Sequence, residues 1–288
     1  MKVITSIREM SRFSETLRCQ GKTIAFVPTM GFLHEGHLAL MAEGKKTADH
    51  LVVSIYVNPA QFGPSEDFST YPRAMEQDLE QCSTIGADAV FTPDSADIYP
   101  AGFQTYVTLE KLPLHLCGLS RPVFFKGVAT VVTKLFNIVN PHFALFGEKD
   151  FQQLAIIRQM VMDLNFDITI LGVPIVRERD GLAKSSRNKY LTQQERPHAL
   201  LLYRCIQAAE KMVKHGETDA RSIVDAAMEI LLSCPDITVD YVSICDPVTL
   251  EEVTGIKEKA LMAVAVWLGK TRLIDNRMLV LPDTPDSL

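Results

Sequence analysis

Lys22-Thr23-Ile24-Ala25-Phe26-Val27-Pro28 runs without interruption into Thr29-Met30-Gly31-Phe32-Leu33-His34-Glu35-Gly36-His37. The first half is a continuous apolar run without polar alternation, the pattern of a strand covered on both faces and therefore of a parallel sheet. The second half is a glycine-bearing turn that opens Gly36–Asp49, where apolar residues recur at helical spacing. Working outward, Leu51–Val57, Ala87–Pro93, His142–Gly147 and Ile168–Val173 repeat the strand pattern. Ala74–Ile85, Gly127–Asn140 and Asp150–Leu164 repeat the helical one. Such alternation predicts a doubly wound, Rossmann-like α/β domain with right-handed crossovers, and ligands beyond the carboxyl ends of its strands. The pattern changes near Pro174. Two long helical segments, Thr192–His215 and Asp219–Ser233, precede a strand at Val239–Cys245 and two apolar runs flanking Gly269-Lys270. Residues 1–175 and 176–288 are therefore expected to form a Rossmann-like domain and a smaller α+β domain.

Composition narrows the function. The 288 residues are 47% hydrophobic and 22% charged, with a net charge of −6. That balance supplies a sizeable core and no global attraction for nucleic acid or anionic lipid. The N-terminal segment lacks an apolar signal region, and no apolar stretch reaches the roughly 20 residues of a membrane span. The six cysteines show no CxxC or zinc-finger spacing, so reduced thiols and a cytoplasmic location are expected.

Four segments carry chemistry. In His34-Glu35-Gly36-His37, two histidines flank a glycine at a helix start, where unpaired N–H groups and imidazole donors suit phosphate. Alone, this motif also matches a surface turn, and a metal reading lacks a third ligand. Gly147-Glu148-Lys149-Asp150 follows another strand and opens a helix, although an Asp N-cap accounts for Asp150 equally well. From Arg177 to Lys189 there are five basic residues and two acidic ones, a local positive cluster in an acidic chain. It holds Lys184-Ser185-Ser186-Arg187, whose hydroxyls and charges suit phosphate, and its glycine fits a loop closing over a site. Gln61, in Asn58–Pro64, pairs a donor with an acceptor suited to a hydroxyl and a carboxylate.

Together, PTMGFLHEGH (28–37), NPAQFGPSEDFSTYPR (58–73), GEKDFQQL (147–154), VRERDGLAKSSRN (176–188) and TRLIDN (271–276) resemble the pantothenate synthetase, or pantoate–β-alanine ligase, family of HxGH nucleotidyl transferases. The resemblance runs from Ile4 to about Val280. It implies an ATP-dependent condensation of (R)-pantoate with β-alanine through pantoyl adenylate, releasing AMP and pyrophosphate. It assigns ATP to Met30, Gly31, Phe32, Leu33, His34, Glu35, Gly36 and His37, to Gly147, Glu148, Lys149 and Asp150, to Val176, and to Lys184, Ser185, Ser186 and Arg187. His34, His37 and Lys149 take the catalytic roles. Gln61 and Gln153 hold pantoate, Gln61 facing β-alanine as well. Mg²⁺ accompanies ATP, with Asp78 as its candidate protein contact, and a homodimer is expected with the C-terminal domain as a lid. Two departures stand out. Lys184 replaces a usually apolar residue, and Arg121–Gly127 (RPVFFKG) stands where the family commonly has a string like RPGHFRG. The competing readings are another HxGH transferase, which would release no amide, and a non-catalytic nucleotide-binding protein.

Overall fold

A computed structural model describes residues 1–64, 66 and 68–282. Ser65 and Asp67 of the 58–73 motif, and the end of the expected C-terminal domain from residue 283, lie outside the described residues. The chain divides into two compact units, Met1–Glu110 with Arg121–Val176, and Lys111–Ser120 with Arg177–Leu288.

The first unit is built on β1 (Lys2–Ile4), α1 (Ile7–Cys19), β2 (Ile24–Thr29), α2 (Glu35–Thr47), β3 (His50–Ile55), α3 (Met75–Ile85), β4 (Ala89–Phe91), α4 (Phe124–Val139), β5 (Phe143–Gly147), α5 (Phe151–Asp163) and β6 (Thr169–Val173). The six strands form one parallel sheet in the order β1-β4-β3-β2-β5-β6. Its central strand explains its own burial. Ile24, Ala25, Phe26 and Val27 are all fully enclosed, with Phe26 edge-on to Phe136 of α4 on one face and Val27 packed in the cluster of Leu40 and Met41 from α2 on the other. Two of the helices stop at residues suited to a left-handed cap. Gly86 takes a left-handed conformation after α3, and Asn140 does so after α4.

The sequence pattern leaves β1 unseen, because three residues carry no period. The next helix, α1, is legible only in part: Met10, Ser14 and Leu17 are buried at helical spacing, and Ser6 caps it by accepting from the Glu9 N–H.

The second unit pairs helices with an antiparallel sheet. After a short helix, Glu195–Ala199, come α6 (Leu201–Lys214), α7 (Ala220–Leu232), β7 (Ile237–Cys245), β8 (Lys259–Leu268) and β9 (Thr271–Val280), the strands ordered β7-β8-β9. The single helix expected over Thr192–His215 is instead two, with a break at Leu200; Pro197 lies in the first turn of the shorter helix, where its missing N–H costs nothing. Asp219 caps α7 through the Ser222 N–H at 2.8 Å. Lys111–Ser120 also belongs to this unit, an excursion that no composition change in the sequence marks. All six cysteines are free. Among the described residues, no helix is long and apolar enough to cross a membrane.

Candidate active site

Strand order fixes where a ligand fits. From β2 the chain proceeds through α2 to β3 on one side, whereas β5 lies on the other side and leads to β6. The crevice at such a reversal point, at the carboxyl ends of the strands, is the binding position in doubly wound sheets. Two of the motif segments occupy it: residues 30–37 follow β2, and Gly147–Asp150 follow β5.

The loop after β2 is held by a residue far away in sequence. Gly31 and Phe32 both have left-handed backbones, with φ of 77° and 50°. That is costless for glycine and strained for phenylalanine. Asp78, on α3 and 2% exposed, accepts the N–H of Phe32 on Oδ2 and of Leu33 on Oδ1, both at 2.8 Å. A Cβ on Gly31 would stand 2.9 Å from the same Oδ2, so the glycine gives the carboxylate its place. Thr29 continues the clamp, its Oγ1 accepting from Gly31 N–H while donating to the Ser54 carbonyl. Asp78, the candidate metal contact of the sequence, thus has an amide on each carboxylate oxygen, and a metal would have to share lone pairs with those amides.

The two histidines close the first turn of α2. His34 Nδ1 accepts from the Gly36 N–H at 3.1 Å, and His37 Nδ1 accepts from the His34 N–H at 3.2 Å. An Nδ1 that accepts leaves the ring proton of a neutral imidazole on Nε2. The rings lie 4.1 Å apart at 33°. Burial, then the neighbouring His34, then Lys149 hold the His37 pKa down at about 3 instead of the ordinary 6.5. His37 is therefore a neutral Nε2–H donor, and the positive charge of Lys149, from the turn after β5, adds to what keeps it so. Lys149 Nζ also lies 4.0 Å from Asp150.

This sets a pH prediction. Above pH 6.5 His37 is neutral in both the folded and unfolded chain; below it the unfolded chain takes up the proton first. Its contribution to stability is then intact above 6.5 and declines as pH falls towards about 3. In the free enzyme, kcat/KM for ATP is expected to show no inflexion from His37 between pH 5 and 8. Ring ¹⁵N shifts should report the Nε2-protonated neutral form over that range. An imidazolium at pH 6 would contradict the assignment.

Gln61 ends a one-turn 3₁₀ helix, Pro59–Gln61, and is buried. Its amide is oriented by a chain of bonds. Asn58 Oδ1 accepts the Ala60 N–H, so Asn58 Nδ2 must donate, and it does so to Gln61 Oε1 at 2.8 Å and to the Gly127 carbonyl at 3.1 Å. The Gln61 NH₂ is then the end offered to a ligand, a narrower role than the donor–acceptor pair expected from sequence. Asn58 escapes sequence reading, its signal being only an Asn-Pro at a turn start. Gly127 lies against this turn so closely that a Cβ there would overlap the Ala60 carbonyl. The RPVFFKG departure has a local logic as well. Arg121 is clamped by both Glu66 carboxylate oxygens at 2.6 and 2.8 Å, donates to the Gln61 carbonyl at 3.2 Å, and stacks 3.8 Å over Phe124. In α5, Gln152 is buried, whereas Gln153, the expected pantoate contact, is partly exposed.

Within the second unit, the basic segment is less free than its sequence suggests. Arg177 forms a bidentate pair with Asp275 at 2.6 and 2.9 Å, bonds the Gly181 carbonyl and stacks on Tyr203. Glu178 and Asp180 both pair with Arg196. Arg177 is thus a structural clamp, and Asp275 explains why TRLIDN accompanies the other motifs. The stem of the expected closing loop is pinned, with Leu182 and Ala183 buried. Ser185 caps the following turn, its Oγ accepting from the Arg187 N–H at 3.3 Å.

Comparison with known proteins places the whole chain in a family. The family model described as pantoate-beta-alanine ligase matches residues 2–278. The pantothenate synthetase of Desulfatibacillum aliphaticivorans is 56% identical over 279 residues, covering 97% of this chain and 99% of that protein. The corresponding protein of Geobacter sulfurreducens is also 56% identical, with the same coverage. Among solved structures, pantothenate synthetase from Thermus thermophilus superimposes with a TM-score of 0.92 at 41% identity, covering 98% of this chain and all of that one. The Francisella tularensis ligase, crystallised with beta-gamma ATP and beta-alanine, gives 0.79 at 32% identity, covering 96% and 97%.

Proposed function

The chain belongs to the pantoate-beta-alanine ligase family, and from that premise we propose that it joins pantoate to β-alanine in two steps within the β2–β5 crevice. First, a pantoate carboxylate oxygen attacks the α-phosphorus of ATP, the bond to the β-phosphate bridging oxygen breaks, and pyrophosphate leaves. The amine nitrogen of β-alanine then attacks the acyl carbon, AMP departs with the electron pair of its bond, and the amine sheds a proton. Neither step needs a covalent enzyme intermediate. Positioning and charge stabilisation suffice.

The observation that carries this reading is the placement of His37 in the loop and helix start after β2 and of Lys149 directly after β5, the two neighbouring strands at the reversal point. A neutral imidazole donates to a phosphoryl oxygen without the desolvation cost of a buried cation, and Lys149 supplies the charge. The backbone of residues 30–37, with Gly147, Glu148, Asp150 and Val176, completes the proposed nucleotide contacts on the first unit. Lys184, Ser185, Ser186 and Arg187 are proposed as further phosphate donors from the second. Gln61 Nε2 and Gln153 are proposed to hold the pantoate oxygens. Magnesium enters as the Mg·ATP substrate: with both Asp78 oxygens bonded to amides, the phosphates and water are its principal ligands. The family resemblance extends the proposal to a homodimer in the cytoplasm, the first part of which light scattering tests directly.

The order of steps has its own test. With Mg·ATP and pantoate but no β-alanine, the protein is expected to exchange labelled pyrophosphate into ATP, and AMP should accumulate with amide only when β-alanine is added. Exchange that strictly requires β-alanine would replace the adenylate with a concerted path.

A further inference from the structure

One cluster lies outside everything assigned so far. In the second unit, a ring nitrogen of His198, the Cys234 sulfur and an Asp236 carboxylate oxygen all lie within 4.8 Å of one another. His198 is carried by the short helix Glu195–Ala199, and Ser233-Cys234-Pro235-Asp236 forms the link between α7 and β7. That link is a tight turn. The Ile237 N–H donates to the Cys234 carbonyl at 3.2 Å, and the Cys234 N–H reaches back to the Leu231 carbonyl at 3.3 Å. With Pro235 fixing the second position, the turn holds its cysteine and aspartate in a set relation before any ligand arrives.

The polar atoms themselves point to a missing partner. His198 Nδ1 is shielded from solvent and has no hydrogen bond, although Asp236 Oδ2 is only 3.2 Å away. The two atoms are close without being aligned on each other. This one spacing is close to that of two donors on a tetrahedral zinc ion, roughly 3.3–3.6 Å for bond lengths of about 2.0–2.3 Å, while the Cys234 sulfur, within 4.8 Å of both, would draw closer on binding. His198 Nδ1, shielded and beside the Asp236 carboxylate without a hydrogen bond to it, would gain a bond to an ion held between the two. The donor set is selective too. Imidazole and thiolate suit zinc, whereas magnesium and calcium take oxygen ligands. Cys234 is buried, His198 part-exposed and Asp236 exposed, so an ion and a water ligand can reach the cluster from solvent.

We propose that His198, Cys234 and Asp236 form a zinc site that clips the short helix before α6 to the α7–β7 turn. On binding, the Cys234 thiol releases its proton to solvent and the sulfur becomes a thiolate ligand. All three ligands come from the second unit, and none is among the residues proposed for Mg·ATP.

The test uses chelator-treated full-length protein with cobalt(II) as a spectroscopic probe, in excess magnesium. The expected result is a thiolate-to-cobalt charge-transfer band in the near ultraviolet and tetrahedral bands in the visible, displaced by one equivalent of zinc. Cys234→Ser should abolish the charge-transfer band. Asp236→Asn, at an exposed position where folding is not at stake, should weaken zinc binding at least tenfold. Zinc should also raise the melting temperature of the parent and not of Asp236→Asn. Absence of the charge-transfer band, its survival in Cys234→Ser, or zinc affinity unchanged in Asp236→Asn would each overturn the proposal.

Discussion

His37→Ala is expected to lower the ligation rate by about 10²–10³, the usual effect of deleting one preorganised donor to developing charge, while costing only about 1 kcal/mol of stability. The two effects separate because the ring has two nitrogens with different tasks. Nδ1 accepts the His34 N–H and closes the helix start, and Nε2–H is left for the ligand. Losing the first leaves one partly exposed N–H to water. Losing the second removes a donor that a pKa of about 3 keeps neutral at all working pH values. His37→Gln sharpens the experiment, since glutamine at this third helical position can reach back to the cap N–H as in an ordinary capping box. It should recover the stability and leave the rate low. Melting temperature and single-turnover kinetics on the same preparation distinguish the roles. A variant that melts early yet turns over at the parental rate per folded molecule would make His37 structural.

What the sequence makes visible is what is local. The loops after β2 and β5 stand out because a strand pattern, a glycine and a helix start are contiguous. The second unit's hairpin is likewise announced by Gly269-Lys270 between two apolar runs. The supports of those loops are not local. Asp78 meets Phe32 and Leu33 across 46 and 45 positions, and Arg177 meets Asp275 across 98. No spacing rule connects such pairs, so a reading by motif sees Arg177 as ligand-facing charge when it is already committed. Asp78 similarly reads as a carboxylate available to a cation when both its oxygens hold amides. The orientation of Gln61 is hidden for a related reason: it depends on which way Asn58 is turned, and that depends on a single backbone N–H.

The largest expected loss of stability follows from that hidden support. Asp78→Ala should destabilise the first unit by about 3–5 kcal/mol, because two amides in a buried loop lose charge-assisted bonds worth roughly 1.5–3 kcal/mol each. The loss is compounded by the left-handed backbone at Phe32, a conformation costing about 1–3 kcal/mol that persists only while its surroundings enforce it. Released from Asp78, Phe32 can relax to an ordinary backbone and carry His34 and His37 with it, so activity should fall along with stability. Asp78→Asn tests the charge and the geometry together. Its one carbonyl oxygen can serve either Phe32 or Leu33, and its NH₂ then opposes the other N–H, donor against donor. The asparagine variant should therefore recover little of the loss. A carboxylate retained mainly for a cation predicts otherwise: Asp78→Asn would melt like the parent without magnesium, and only its magnesium requirement for turnover would rise. Thermal unfolding without nucleotide, with and without Mg²⁺, reads the difference directly. A parental melting temperature in Asp78→Asn would show that the two amides do not depend on the carboxylate.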